Sequence, residues 1–325
     1  MDEQKRGGGT QQPLPETMRA WRVLRFGGID ALRCEAVPVP QLQGDEVLVE
    51  VDVAALNPVD LKTLAGRYPM IAEADLPYTL GRDVAGVVAK ATALAQGWAP
   101  GTRVCAFVGQ GQGTLAEYVA VSASALAKAP PALDTETAAA VPLASLTAWQ
   151  GLFDHGKLER GERVLILGAS GPVGRFAVQF AHQCGARVVA TASAATHDAL
   201  RSLGASELID YRQQRVEDAT GDIDLVFDLV GGEAQTSAWR VLKRGGTLVS
   251  ALTEPSQVEA SDHGAHAMRY TARPDGAQLD HIIGLLLKGA LKVEIVERFA
   301  FDAMPDAFAR LERGHPHGKL LVTRR

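Results

Sequence analysis

A chain of 325 residues is long enough for two domains and a substantial buried core. Its 46% hydrophobic and 22% charged residues are the proportions of a globular protein and exclude a largely disordered chain. A formal net charge of -5 supplies no basic field, so neither nucleic acid nor an anionic membrane is an expected partner.

The first segment, residues 1–17 (MDEQKRGGGTQQPLPET), is polar, rich in Gly and Pro, and lacks the apolar stretch of a signal peptide. It predicts a mobile tail with no part in the chemistry. No later run is apolar over the length a bilayer requires. Cys34, Cys105 and Cys184 are odd in number and far apart, which predicts free thiols and a cytoplasmic protein.

Residues 18–135 read as strand and turn. MRAWRVLRFGG, EVLVEVDVAALNP, GRDVAGVVAKA, GTRVCAFV and LAEYVAV are β-rich runs, most of them marked by Gly or Pro, which predicts a compact barrel-like β domain. Near Asp134 the texture changes to an Ala/Leu-rich helical stretch, TETAAAVPLASLTAWQGLFDHG. Short apolar strands then alternate with amphipathic helices across 136–289, as a parallel sheet covered on both faces requires. Residues 290–325, with KVEIVERFAF and KLLVTRR, return to the β texture and are expected to complete the first domain. The stretches 64–77 and 254–270 are irregular, and the second is expected to be mobile.

The sharpest local signal is LILGASGPVG (165–174), an apolar strand that breaks into a small-residue loop and then opens a helix. Gly168, Gly171 and Gly174 form a variant of the dinucleotide-binding pattern. Gly171 would let the backbone approach a pyrophosphate, and Gly174 would let helix pack on strand. Pro172 has no N–H but suits a first helical turn, so Val173 and Gly174 must supply the donors, with Ser170 beside them. The same residues also make a tight strand-to-helix turn without a ligand.

An NAD-preferring site places a carboxylate at the end of the second strand. Here ARVVATAS carries no acid before Asp198, and Ser193 stands where the carboxylate would be. Thr196, His197, Tyr211 and Arg212 add hydroxyl and basic groups nearby. That set suits a 2′-phosphate, so NADPH is the expected cofactor.

ALNPVDLK (55–62), GRDVAGVV (81–88), AEYVAV (116–121), LTAW (146–149), GASGPVG (168–174), LRSLGAS (200–206), FDLVGG (227–232) and HGKLLV (317–322) occur in an order and spacing that resemble the medium-chain dehydrogenase/reductase superfamily. Within it they resemble the zinc-free quinone oxidoreductase branch, with the zeta-crystallin-like enzymes and plant alkenal reductases. The resemblance implies a GroES-like β-barrel catalytic domain and a Rossmann domain with a doubly wound parallel sheet. Zinc alcohol dehydrogenases have a catalytic Cys where this chain has Ala55-Leu56-Asn57, and Gly-His-Glu where it has Gly81-Arg82-Asp83. No zinc site is therefore expected, and His263 with His266, or His315 with His317, read as solvated loop residues.

Without a Lewis acid, conjugated acceptors are the expected substrates. The resemblance implies a reductase that moves hydride from NADPH to a quinone or an α,β-unsaturated carbonyl. It places Asn57 and Tyr68 in the cleft as donors to the substrate oxygen, although an Asn-Pro turn and a packing aromatic are their plainer roles. Asp60 and Lys62 read as structural or orienting. For the cofactor it implies Thr147, Leu229, Val230, Leu252 and Lys319 around the nicotinamide, and Ser193, His197 and Tyr211 around the 2′-phosphate. An enoyl-thioester reductase and a non-catalytic NADPH-binding protein are the alternatives. By the same analogy GTLVSAL, as a sixth strand, would pair with its twin in a homodimer.

Overall fold

The computed structural model describes residues 13–314 and 317–324. Most of the expected N-terminal tail therefore lies outside the described residues, as does His315. Its last residue does not behave as tail, because Thr17 already pairs with Pro38.

The N-terminal part runs β1 (Thr17–Val23), β2 (Leu32–Pro38), β3 (Glu46–Leu56), α1 (Pro58–Leu64), β4 (Tyr78–Thr79), β5 (Asp83–Ala91), β6 (Arg103–Phe107), β7 (Tyr118–Ser122) and β8 (Leu126–Lys128). Helices α2 (Thr135–Ala140) and α3 (Pro142–Trp149) lead out of it, and a π-type turn at Gln150–His155 follows. The alternating part is β9 (Arg163–Leu167), α4 (Pro172–Cys184), β10 (Arg187–Ala192), α5 (His197–Ser202), β11 (Glu207–Asp210), α6 (Val216–Ala219), β12 (Ile223–Asp228), α7 (Gly232–Ala238), β13 (Leu242–Ser250), α8 (Gln257–Asp262), β14 (His266–Arg269) and α9 (Gly276–Leu287). The chain ends with β15 (Ile295–Ala300), α10 (Met304–Glu312) and β16 (Lys319–Thr323).

Three sheets result. A small one has the order β2-β1-β4. The large one runs β15-β16-β3-β5-β6-β8, with β7 also on β3, so the C-terminal strand closes onto the first long strand. The third, β11-β10-β9-β12-β13-β14, pairs in parallel throughout. Its order reverses between β9 and β12, and a doubly wound sheet opens a crevice at that reversal.

The central strands of the parallel sheet are apolar on both faces: Val164, Leu165, Ile166 and Leu167 of β9 are all fully buried. Helix α4 covers that strand with Phe176, Ala177, Phe180 and Ala181, a helical stripe, and stops at Gly185 in a left-handed conformation. The small side chains of α2 and α3 (Ala138, Ala139, Ala140, Ala144, Ala148) are buried in one core with Val53, Ala55 and Ala85 of the large sheet and Val164 and Ile166 of the parallel one. Alanine there lets helix lie close against both sheets, and this shared core sets the cleft between them.

Two expectations need correction here. GTLVSAL lies in β13, which is inside the sheet, and the edge strand is β14. The stretch 254–270 is ordered as α8 and β14. Ser256 caps α8 by accepting from the Glu259 amide, and Ser250 and Arg269 pair at the β13–β14 ladder end. His266 is accordingly not a loop residue, whereas His263 stands in the turn that follows α8. His263 ends α8 with Nδ1 on the Glu259 carbonyl at 2.9 Å, and His266 stands in β14.

Candidate active site

The loop after β9 ends in helix α4, with Gly171 as its N-cap and Pro172 in its first turn. The Gly171 amide closes back on the Gly168 carbonyl at 3.3 Å, and Gly168 itself has φ +79. Gly174 is required by the fold, because a Cβ there would lie 2.5 Å from the Gly168 oxygen. Gly171 is different: a Cβ would meet nothing nearer than 3.7 Å, so the chain does not itself demand glycine. The Val173 and Gly174 amides, at the start of a 13-residue helix, have no acceptor within it. Open space, free N–H groups and a helix dipole together can hold a pyrophosphate. Ser170 borders that space half-buried.

The ends of β10 and β11 lie side by side, with Ala192 registered against Asp210. The next residues, Ser193 and Tyr211, are therefore neighbours, half-buried and 53% exposed respectively. The Arg212 guanidinium sits 5.7 Å from the Tyr211 ring centroid. The Asp210 carboxylate accepts from the Arg212 amide and stays 7% exposed, and the His197 Nε2 lies 3.3 Å from the Ala192 carbonyl. The corner thus offers a hydroxyl, an imidazole and a cation-faced phenol, a set suited to a phosphate.

Across the reversal, Leu229 is tied by its amide to the Leu167 carbonyl at 3.2 Å. Val230 and Leu252 are 52% and 36% exposed, an apolar shelf at the ends of β12 and β13. Asp228, fully buried, fixes that shelf. One oxygen accepts from the Val230 and Gly231 amides and the other from Gln235 and Ser250. Thr147, on α3, donates through its hydroxyl to Leu143, and its carbonyl accepts from the Tyr270 hydroxyl. Asp228 was not anticipated; its signal was a lone acid ending an apolar strand in FDLVGG.

The other wall is organised by Asp83, 0% exposed and also not anticipated. Its Oδ1 accepts from the Leu143 amide at 2.6 Å, and its Oδ2 from Asn57 Nδ2 at 2.9 Å and Lys319 Nζ at 2.8 Å. One carboxylate therefore joins α1, α3 and β16. Lys319 Nζ also donates to Asn57 Oδ1 at 2.6 Å. Pro172, Phe176, Gly318 and Lys319 line a shallow recess that sets the start of α4 beside the start of β16.

This geometry corrects the role expected of Asn57. Its Nδ2 donates to the Ala55 carbonyl and to Asp83, so both amide protons are engaged within the chain and neither is free for substrate. Asp60 closes a capping box on Asn57 and also accepts from the Gly81 amide. Burial pushes the Asp60 carboxyl up to about 6, against the opposing pull of those amides and of Arg82. Tyr68 is half-buried, packed 5.5 Å over the Arg82 guanidinium.

Zinc does not fit this wall. Position 82 carries a guanidinium, which has no lone pair to give, and Asp83 is committed to three donors. Among the described residues no cluster of three or more His, Cys, Asp or Glu side chains can hold a metal ion.

Residues 43–131 match a family model described as an alcohol dehydrogenase GroES-like domain, and 203–322 match one described as a zinc-binding dehydrogenase. The chain is 37% identical to 2-methylene-furan-3-one reductase of Solanum lycopersicum, over 96% of this chain and 81% of the relative. It is 35% identical to the chloroplastic NADPH-dependent alkenal/one oxidoreductase of Arabidopsis thaliana, over 95% and 80%. Among solved structures, the quinone oxidoreductase from Coxiella burnetii superposes with a TM-score of 0.89 at 30% identity, covering 95% of this chain and all of that one.

Proposed function

Because the chain belongs to the medium-chain dehydrogenase/reductase superfamily, in the branch of the quinone and alkenal oxidoreductases, we propose that it is an NADPH-dependent reductase of conjugated acceptors. Its substrates on this reading are quinones or α,β-unsaturated carbonyl compounds, and it needs no zinc. The observation that carries the reading is a cleft with an open dinucleotide loop on one side and, on the other, a hydrogen-bonded wall in which zinc has no ligands.

NADPH, when bound, supplies the hydride. Val173 and Gly174 hold its pyrophosphate through their amides, with Ser170, Gly171 and Pro172 shaping the approach. Ser193, His197 and Tyr211 hold the 2′-phosphate. Leu229, Val230, Leu252 and Thr147 bracket the nicotinamide and keep water from it. Lys319 uses two of its three N–H donors on Asn57 and Asp83, and on this reading the third serves the bound cofactor or substrate. Asn57 is thus a positioning residue for Lys319, and the Tyr68 hydroxyl faces the substrate oxygen.

A conjugated acceptor takes hydride at carbon and spreads the electron pair to its oxygen, which hydrogen-bond donors then stabilise; solvent delivers the proton. Purified protein is expected to oxidise NADPH, followed by its absorbance, with members of a panel of quinones, enals and enones. No turnover with any acceptor would overturn the reading. We place the enzyme in the cytoplasm, since its three cysteines are unpaired and Cys34 is exposed. The free edge of β14 is the surface through which we expect two copies to pair.

A further inference from the structure

Arg82 is 4% exposed, yet its guanidinium is only partly satisfied. Nη1 donates to the Gly109 carbonyl at 2.7 Å, whereas Nη2 is buried and has no hydrogen-bond partner. The group is held between two phenol rings, Tyr68 at 5.5 Å and Tyr78 at 5.9 Å from their centroids. A buried charged donor left unpaired is unfavourable, so the group calls for an acceptor that the chain itself does not supply. Here the two rings and the Gly109 carbonyl fix the fork, so the open donor has a set direction.

Arg82 directly precedes Asp83, the carboxylate that organises this wall of the cleft. Gly109 faces the segment between β14 and α9, where a Cβ would come 3.5 Å from Pro274. Of the two rings, Tyr78 is 6% exposed and belongs to the core, and Tyr68 is the one that reaches the surface. The acids nearby are already engaged, Asp60 by two amides and Asp83 by its three donors.

We propose that Arg82 is a catalytic residue whose Nη2 donates to the acceptor's oxygen, entering past the Tyr68 ring, as negative charge develops there. This rests on the reading of the cleft as a reductase site and deepens it. When hydride reaches the β-carbon of an enone, its electron pair forms the new C–H bond, the C=C π pair becomes the new double bond between the α-carbon and the carbonyl carbon, and the C=O π pair moves onto the oxygen. Arg82 gives no proton in this step, since a guanidinium keeps its own at any working pH. It stabilises the enolate until solvent protonates carbon.

The probe is 4-nitrophenol, which resembles the oxyanion and changes colour on ionisation. It is added to the NADP+ complex about one pH unit below its solution pKa, where about a tenth is ionised. Bound probe is expected to be mainly phenolate in the wild type. Arg82→Gln is expected to lower that preference about tenfold or more and to lower kcat with quinones and enones, with the NADPH Kd unchanged. If Arg82→Gln does not fold, Arg82→Lys replaces it; a kcat more than about tenfold lower with an unchanged NADPH Kd is expected, since an ammonium cannot span Gly109 and substrate together. Probe bound as neutral phenol by the wild type overturns the proposal, as does a variant that keeps both the phenolate preference and kcat. Wild-type turnover measured in parallel separates the two failures: turnover without phenolate preference removes Arg82 alone, and no turnover removes the reading of the site.

Discussion

Single residues divide into those the fold needs and those only a ligand needs, and the glycine loop separates them most sharply. Gly174→Ala forces a methyl against backbone and is expected to cost about 2 kcal/mol of stability or more, read by urea unfolding. Gly171→Ala has room and should leave stability within about 1 kcal/mol. Its NADPH Kd should nevertheless rise about tenfold or more in a fluorescence titration, since the methyl occupies the pyrophosphate space. Ser193→Asp places a carboxylate against the 2′-phosphate and supplies a partner for a ribose hydroxyl. It should turn preference from NADPH towards NADH by about 100-fold, roughly 3 kcal/mol, in steady-state kcat/KM. Asp60 makes a pH prediction. Its folded carboxyl lies at about 6 against an ordinary 3.8, so the native state binds the extra proton between those values. Its contribution is therefore most favourable at acid pH and is lost as pH rises from about 4 past 6. Measured against Asp60→Asn, wild-type stability should gain up to about 3 kcal/mol on going from pH 7 to pH 4. A pH-independent difference would contradict the buried, raised carboxyl.

At the scale of elements, the sequence patterns conveyed strands and helices well where one period dominated. β9, α4 and β10 stand where their apolar runs and glycines put them, because a buried parallel strand and a one-faced helix each leave a strong periodic trace. β14 left none: its four residues His266–Arg269 alternate weakly, with only Ala267 less than exposed, as an edge strand allows. No pattern there competes with the family analogy that makes GTLVSAL the pairing strand. The corrected edge carries Met268, 37% exposed. Met268→Lys should convert a dimer into a monomer in size-exclusion chromatography with light scattering, because an edge lysine opposes strand pairing. A mass unchanged between wild type and variant would remove β14 as the pairing edge.

Across the whole molecule, two sheets meet through a core of alanines, and one carboxylate ties the large sheet to α1 and α3. Asp83 finds its partners 26, 60 and 236 residues away, at Asn57, Leu143 and Lys319, so no local pattern could announce it. The motifs around it were legible one at a time, and their convergence was not. The same holds for Asn57: one of its amide protons goes to the local Ala55 carbonyl, but the acceptor that takes the other, Asp83, comes from another strand. Arg82 was legible only as a departure from a zinc-ligand pattern; its open Nη2 depends on three loops packing together. Motif order was therefore enough for the fold and the cofactor loop, while the chemistry of the opposite wall required the assembled structure.

The central claim is that hydride passes from NADPH, docked at Gly168–Gly174, to the carbon of a conjugated acceptor facing Asp83 and Lys319. It is tested most directly with NADPH deuterated at the transferring face of C4, using an acyclic enone as acceptor and NMR of the product. The account predicts deuterium at the β-carbon of a saturated ketone. Deuterium at the carbonyl carbon of an allylic alcohol, or oxidation of NADPH without label in the product, would contradict it.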